Sequence, residues 1–279
     1  MRIRPIAFDS FSTRSMATLV ETDIRIFIDP SISIAPVRYG LPPTEEEIAE
    51  LDKKINEIIE IGERSDLFII THYHWDHCPH PASDHIKVLI GKRILAKDFN
   101  DTNKSQYLRG KDVLSVLKEV EFSDGKSYEI GNTYIEFSNG VWHGEEKSKL
   151  GKVLMVYIEY GKDSMIFASD IQGILSNKTK DFIIRKNPKV LIMSGPPIYH
   201  YLWKRKLEET NINNLIDVVR NTEIEKIIFD HHIARSKDYL NYIEKLNRDI
   251  KNIFMSAADF LGIRNRLLEA NRDTLYSLF

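Results

Sequence analysis

The sequence has one cysteine, Cys78, among 279 residues and no long apolar run. A single thiol excludes a disulfide within the chain, which is typical of proteins that stay in the reducing cytoplasm. No segment approaches the roughly 18 apolar residues of a membrane-spanning helix. The first residues, MRIRPIAFDSF, also lack the apolar segment of a secretory signal peptide. We therefore expect a cytoplasmic protein with no membrane contact.

An excess of charge of either sign is absent as well. The formal net charge is −2, so the protein as a whole is not a polycation that would hold nucleic acid through its phosphates, although a local basic patch is allowed. Linkers rich in proline, glycine or serine and internal repeats are also missing, while 42% of the residues are hydrophobic and can supply a sizeable core. These features predict one domain over residues 1–279.

Strand and helix patterns occur in two similar halves. Residues 2–8, 16–22 and 24–29 have the pattern of strands, and Thr44 with Glu47 has that of a capping box that begins an amphipathic helix. Further predicted strands are DLFIIT, IKVLI, KSYEIG, TYIEFS, KVLMVYIEYG, SMIFASD, KVLIMSG and KIIFDHH, with helices between the last three. Hairpins followed by strands that alternate with helices predict a mixed α/β (α+β) fold, in which two sheets pack face to face between outer helices as a four-layer αββα sandwich. The chain from about residue 236 is predicted to be a helical C-terminal segment.

Histidine is concentrated in one short stretch, THYHWDHCPH, directly after the apolar run DLFII. Side chains two residues apart on an extended strand end project to the same side, so His72 and His74 can bind one ion together. A turn would then direct Asp76 and His77 towards a second point nearby. Imidazole nitrogens and carboxylate oxygens are the ligands expected for zinc or a similar divalent cation.

Four such residues cannot complete two coordination shells, so the cluster predicts further ligands elsewhere. His143, Asp170 and His231 each stand where an apolar strand gives way to a loop. We expect these side chains to converge with the histidine cluster on one edge of the sheets.

The order His-x-His-x-Asp-His, a later His, an Asp after a strand and a final His resembles the metallo-β-lactamase superfamily. A looser likeness over the whole length, which includes FASDIQG, SGPP, FDHH and LLEANRDTLY, is to a biochemically uncharacterised archaeal branch of that superfamily. The resemblance implies two metal sites, with His72, His74 and His143 at the first ion, Asp76, His77 and His231 at the second, and Asp170 bridging them. It also implies that Asp29, which ends an early strand, orients a ligand histidine.

Some neighbouring residues leave alternatives open. His231 and His232 are adjacent, and only one of them is expected to be the last ligand; the superfamily pattern favours His231. His80 and His85 lie beyond the motif and are interpreted as loop residues, and Cys78 as a structural residue. His80 precedes a proline, so the helix that many relatives begin directly after the motif cannot start smoothly here.

Such a centre predicts metal-dependent hydrolysis by a hydroxide held between two divalent ions, with zinc favoured over manganese or iron. Asp76 and Asp170 are then the catalytic carboxylates. Expected substrates are esters, thioesters, lactones or phosphodiesters, with a small anionic molecule favoured over nucleic acid. The alternatives are a di-iron redox protein, whose superfamily members carry Glu where His74 stands, and a non-enzymatic metal-binding or interaction protein.

Two further polar stretches each allow two interpretations. Residues 98–112 are interpreted either as a lid over the metals, with Arg109 reaching an anionic group, or as a surface loop. Residues 199–209 mix aromatic and basic side chains, which is typical of a phosphate or nucleic-acid surface, but also of an amphipathic helix with a charged face.

Overall fold

Two mixed β-sheets form the centre of the structure, a computed structural model that describes residues 1–203 and 205–277. The first sheet has six strands in sequential order: β1 (Arg2–Phe8), β2 (Met16–Glu21), β3 (Arg25–Ile28), β4 (Leu67–Ile70), β5 (Arg93–Ala96) and β6 (Glu121–Phe122). Strands β1 to β3 pair antiparallel, and β3 to β6 pair parallel. The predicted strands 2–8, 16–22 and 24–29 are therefore confirmed to within one residue.

The second half of the chain builds a seven-stranded sheet and a separate pair. The strands are β7 (Ser127–Ile130), β8 (Thr133–Phe137), the pair β9 (Val141–Trp142) and β10 (Lys152–Val153), β11 (Val156–Tyr160), β12 (Asp163–Phe167), β13 (Val190–Ser194), β14 (Lys226–Asp230) and β15 (Phe254–Met255). The order across the sheet is β15-β14-β13-β12-β11-β8-β7. Strands β12 to β15 are parallel, so their carboxyl ends lie at one edge.

Helices cover the outer face of each sheet. They are α1 (Glu45–Glu63) and α2 (Lys104–Leu117) on the first sheet, and α3 (Asn177–Lys186), α4 (Arg205–Arg220) and α5 (Tyr239–Asp249) on the second, with the short α6 (Ala257–Leu261) and α7 (Arg272–Tyr276) near the end. Phe8, Met16 and Ile28 from one sheet and Phe137 and Phe167 from the other share a buried layer between the sheets. The predicted four-layer αββα sandwich is confirmed.

Helix α1 begins as the sequence predicts. The Thr44 side chain accepts a hydrogen bond from the backbone N–H of Glu47, and the Glu47 carboxylate accepts one from the backbone N–H of Thr44. This capping box satisfies two N–H groups that have no partner within the helix.

The prediction of a strand at IKVLI, residues 86–90, was wrong. Residues Asp84–Leu89 form a 3₁₀ turn, and the strand of this region is β5. Val88 packs so closely on helix α1 that a Cβ at Gly62 would lie 2.5 Å from its Cγ2. A short, largely apolar run is compatible with either structure, and here it packs against helix α1 at Gly62 as a turn.

Two further predictions concern residues 98–112 and the helical C-terminal segment. Residues 98–112, interpreted as a lid or a loop, contain a 3₁₀ turn at Phe99–Asp101 and most of α2, which Asn103 caps. The C-terminal segment contains α5 to α7. Strand β15, which includes the buried Phe254, interrupts the helices and pairs with β14 at the edge of the second sheet.

Among the described residues, no helix is both long enough and apolar enough to cross a membrane.

Candidate metal centre

The predicted ligands meet at the edge where strands β4, β12 and β14 end and where β9 leads into a loop. His72 and His74 follow β4, and the backbone N–H groups of His77 and Cys78 both donate to the carbonyl of His74, at 2.9 and 2.8 Å. This tight turn directs Asp76 and His77 back towards the edge. The second half of the chain contributes its residues from the loops after β9, β12 and β14.

A first cluster consists of His72, His74, His143 and Asp170, whose ligand atoms all lie within 4.8 Å of one another. Nε2 of His72 and both ring nitrogens of His143 are buried without a hydrogen-bond partner. Nε2 of His143 is 2.8 Å from Oδ2 of Asp170, without the geometry of a hydrogen bond. Buried polar atoms are rarely left unpaired, so lone pairs that converge on one point fit a divalent cation.

A second cluster joins Asp76, His77 and His231. The Nε2 atoms of the two histidines are 3.2 Å apart, and Oδ2 of Asp76 is 3.6 Å from Nε2 of His231. Oδ2 of Asp170 lies 3.8 Å from Nε2 of His77 and 3.7 Å from Nε2 of His231, so one carboxylate oxygen faces both clusters.

Two carboxylates hold the histidines of the second cluster through the ring nitrogen that points away from the cluster. Oδ2 of Asp29 is 2.9 Å from Nδ1 of His77, and Oδ2 of Asp9 is 2.7 Å from Nδ1 of His231. An ionised carboxylate only accepts hydrogen bonds, so each Nδ1 carries the proton and each Nε2 is directed at the cluster. The sequence predicted that Asp29 orients a ligand histidine, and here Asp29 contacts His77. Asp9 was missed, although it follows an apolar strand in the same way.

The two adjacent histidines have different surroundings. Nε2 of His231 faces Asp76, His77 and Asp170, whereas Nε2 of His232 is 3.0 Å from Oδ2 of Asp170. Nδ1 of His232 accepts a hydrogen bond from Nη1 of Arg235 at 3.2 Å. His232 therefore carries its proton on Nε2 and donates it to Asp170. The geometry favours His231 as the ligand and gives His232 a supporting contact.

Arg235 is a buried cation that the sequence reading missed. Its Nε donates to Oδ1 of Asp9 at 2.7 Å, and its Nη2 lies 3.4 Å from Oδ2 of Asp76. The guanidinium thereby neutralises part of the negative charge that Asp9 and Asp76 bring into the site. No spacing in the sequence pointed to it, because its two carboxylate partners, Asp9 and Asp76, are far away along the chain.

The site holds His72, His74 and Asp170 in the protonation states that bind metals, whereas His231 is held in its protonated form. Burial and the nearby His77, His74 and His143 hold the pKa of His72 well below its usual value, and burial with His143 lowers the pKa of His74 to about 3. Burial opposes ionisation of Asp170, but the surrounding histidines outweigh it and keep the pKa of that carboxyl well below its usual range. Burial also disfavours charge on His231, yet Asp9 outweighs it and raises the pKa of that imidazole to about 10. Metal binding at His231 would therefore release a proton near neutral pH.

The backbone is strained at several of these positions. Asp29, Ser169 and His231 have φ values of +47°, +58° and +60°, a left-handed conformation that non-glycine residues seldom adopt. Such conformations cost of order 1–3 kcal/mol each and are found mostly at functional sites.

Other residues singled out in the sequence lie outside the two clusters. His80 is exposed, the buried His85 lies 3.2 Å from the Ser31 hydroxyl, and Cys78 is buried as a free thiol. Arg109 on α2 lies over the ring of Trp75, 4.9 Å from its centre. In the stretch 199–209, helix α4 begins at Arg205; Lys204, like Leu278 and Phe279, lies outside the described residues.

Comparison with solved structures defines the class of the fold. A possible metal-dependent hydrolase from Veillonella parvula has a TM-score of 0.58 at 16% identity, with 91% of this chain and 94% of that chain covered. The metallo-β-lactamase fold protein YhfI from Bacillus subtilis has a TM-score of 0.57 at 12% identity, with coverage of 91% and 94%. CmlA, a diiron β-hydroxylase from Streptomyces venezuelae, has a TM-score of 0.52 at 13% identity over 88% of this chain and 50% of its own. The protein has the metallo-β-lactamase fold, as the sequence predicted.

Curated relatives place the chain within that fold class. No family model matches it. The UPF0282 protein of Korarchaeum cryptofilum is 37% identical over 289 residues, which covers 100% of this chain and 95% of the relative. The UPF0282 protein of Methanocaldococcus jannaschii is 39% identical over 288 residues, with coverage of 98% and 95%. The chain belongs to the UPF0282 family, and the predicted likeness to an archaeal branch is confirmed.

Proposed function

We propose that this protein is a metal-dependent hydrolase whose centre holds two divalent cations, with zinc as the natural metal. The observation that carries the proposal is the pair of clusters that both face Oδ2 of Asp170, together with the buried imidazole nitrogens of the first cluster that have no partner. His72, His74 and His143 would hold the first cation, and Asp76, His77 and His231 the second. Imidazole and carboxylate without an available thiolate suit zinc, and also allow manganese or iron.

The chain's own residues orient these ligands. Asp29 and Asp9 fix the proton of His77 and of His231 on Nδ1, and Asp170 receives hydrogen bonds from His232 and from the Ser194 hydroxyl, which donates to Oδ1 at 2.7 Å. The Asp170 carboxylate is thus held on two sides with its Oδ2 directed at both clusters. Such supporting contacts raise ligand basicity and limit the freedom lost when a cation binds.

The chemistry follows from that arrangement. A bound pair of divalent cations lowers the pKa of a shared water and polarises a carbonyl or phosphoryl oxygen. Cys78 does not offer a competing nucleophile, because burial raises the pKa of its thiol well above the usual value. Asp76 and Asp170, whose pKa values are held below the usual range, would be the catalytic carboxylates.

The proposed substrate is a small anionic ester, thioester, lactone or phosphodiester. Support comes from the net charge of −2, which gives no general attraction for nucleic acid. The single, reduced cysteine supports a cytoplasmic location for the reaction.

Metal analysis and a substrate panel test the proposal. The purified protein is expected to bind two zinc ions per chain, and the zinc-loaded protein to hydrolyse one of the four substrate classes. Asp170→Ala should lose metal and activity together, because its carboxylate faces both clusters. His80→Ala, on the exposed loop beside the motif, should retain both.

Three outcomes would contradict this function. An Asp170→Ala variant that keeps two ions and full activity would remove Asp170 from the centre. Two irons and no zinc in the native protein would favour the redox alternative, and no affinity for any divalent cation would favour an interaction protein.

A further inference from the structure

Arg38 is a positively charged side chain beside the centre that has no acidic partner among the described residues. Its guanidinium makes one hydrogen bond there, from Nη2 to the backbone carbonyl of Arg235 at 2.8 Å. Nε is buried without a hydrogen-bond partner, while Nη1 also lacks a partner but is not enclosed. Most buried or half-buried arginines in proteins pair with a carboxylate, so an arginine whose accessible Nη1 has no partner points to an external anion.

Two tyrosines hold this guanidinium in place. Its carbon lies 4.7 Å from the ring centre of Tyr39 and 4.4 Å from that of Tyr199. A cation near the face of an aromatic ring is attracted by about 0.5–1 kcal/mol at exposed sites. With both rings and the carbonyl of Arg235 in contact, Arg38 has little freedom left to lose when it binds a ligand.

The turn that presents Arg38 is strained. Tyr39 has φ +55° and Gly40 has φ +77°, and the backbone groups of Arg38 and Leu41 exchange two hydrogen bonds of 3.0 and 2.9 Å across them. Asn-Gly is the preferred sequence for such a turn, and a tyrosine at its first central position is unfavourable. The ring is nevertheless anchored there, since its hydroxyl donates to the carbonyl of Ala270 at 3.1 Å.

The loops that carry these residues border the metal centre. Arg38 lies in the loop that leaves β3 at Asp29, and Tyr199 in the loop that leaves β13 beside Ser194. Arg235 connects them to the centre, because its carbonyl binds Arg38 while its guanidinium contacts Asp76 and His232. Arg38 is therefore separated from the candidate ligands by a single residue.

We propose that Arg38 binds an oxyanion of the substrate, a carboxylate or a phosphate, at the rim of the metal centre, with Tyr39 and Tyr199 as positioning residues. This inference rests on the proposed function and extends it by assigning the residue that recognises the substrate's charge. Guanidinium groups bind both oxyanions through paired N–H donors, so the two sources have to be distinguished by experiment.

Calorimetric titration of the metal-free protein tests the site without relying on catalysis. Inorganic phosphate and malonate are titrated separately into the wild type, Arg38→Gln and Arg93→Gln. Arg93 is the matched control, since it also lies over a tyrosine ring, 5.7 Å from the centre of Tyr128, and its loss changes the net charge equally. We expect Arg38→Gln to weaken binding of at least one probe tenfold or more, and Arg93→Gln to change it less than twofold. The probe that binds more tightly identifies the oxyanion.

Wild-type protein that binds neither probe, or an Arg38→Gln variant that binds both as the wild type does, would overturn the proposal. Tyr39→Asn tests the positioning role, because Asn-Gly suits the turn. We expect it to keep the melting temperature of the wild type and to weaken probe binding several-fold; unchanged binding would remove Tyr39 from the site. Arg38→Gln should still bind two zinc ions, so a failure of the metal proposal is seen separately from a failure of the anion site.

Discussion

At the scale of single residues, the candidate ligands are held in place by residues that are not candidate ligands themselves. Asp9 and Asp29 each fix one imidazole, and Arg235 supports Asp9 and Asp76 from the same side. Removing such an orienting carboxylate leaves the ligand in place but lets its ring turn and its proton move to the wrong nitrogen.

Asp9→Asn should therefore affect the two ions unequally. Asp9 contacts His231 of the second cluster and none of the first, so we expect affinity for one ion to fall about 10–100-fold while the other stays tightly bound. Stepwise removal of zinc with a competing chelator measures both affinities.

Asp23→Asn serves as the control for that variant, because Asp23 is a carboxylate that receives hydrogen bonds from Asn132 and Thr133 at a distant turn. Equal weakening of both ions by Asp9→Asn, or no weakening, would contradict the assignment of Asp9 to the second cluster.

At the scale of elements, the structure separates what stabilises the fold from what builds the centre. Helix α1 lies on the outer face of the first sheet, and its capping box at Thr44 belongs to the scaffold. The candidate ligands lie instead in the loops after β4, β9, β12 and β14. The loops after β12 and β14 also contain the left-handed residues Ser169 and His231.

Thr44→Ala should lower the free energy of unfolding by about 1 kcal/mol, as loss of an N-cap usually does. Metal content and metal affinity should not change, because the cap is remote from both clusters. Urea unfolding of the metal-free protein measures the first effect and metal analysis the second. A Thr44→Ser variant, which keeps the hydroxyl, should be close to the wild type; a loss of zinc in Thr44→Ala would show that α1 supports the centre.

At the scale of the whole molecule, the centre connects the two sheets. His72, His74, Asp76 and His77 follow a strand of the first sheet, Asp170 and His231 follow strands of the second, and His143 follows β9 of the separate pair. Cations bound between them would bind the folded state and not the unfolded chain, so they would stabilise the sandwich.

Removing the metal should therefore lower thermal stability. With free zinc 100-fold above its dissociation constant, one site contributes about 2.7 kcal/mol. For a chain of this size, that corresponds to a fall in melting temperature of roughly 5 °C per site on chelation. Calorimetric melting with and without chelator measures the shift in the wild type, and Asp170→Ala should show almost none. An equal shift in both would mean that the chelator acts at another site.

The sequence by itself determined the features that depend on near neighbours along the chain. The alternation of side chains after β4 placed His72 and His74 together, the spacing of Thr44 and Glu47 gave the cap, and strand-end positions marked His143, Asp170 and His231. Each of these signals is encoded within a few residues, where backbone geometry alone sets which groups can meet.

Only the tertiary structure decided the contacts between distant segments. Asp9 and His231 are 222 residues apart, and Asp9 and Arg235 are 226 apart, so no local period relates them. Packing of the two sheets brings β1 and β14 together at one edge, and that packing depends on the whole core. The same holds for Arg38, whose partners Tyr199 and Arg235 reach it only after both halves of the sandwich have assembled.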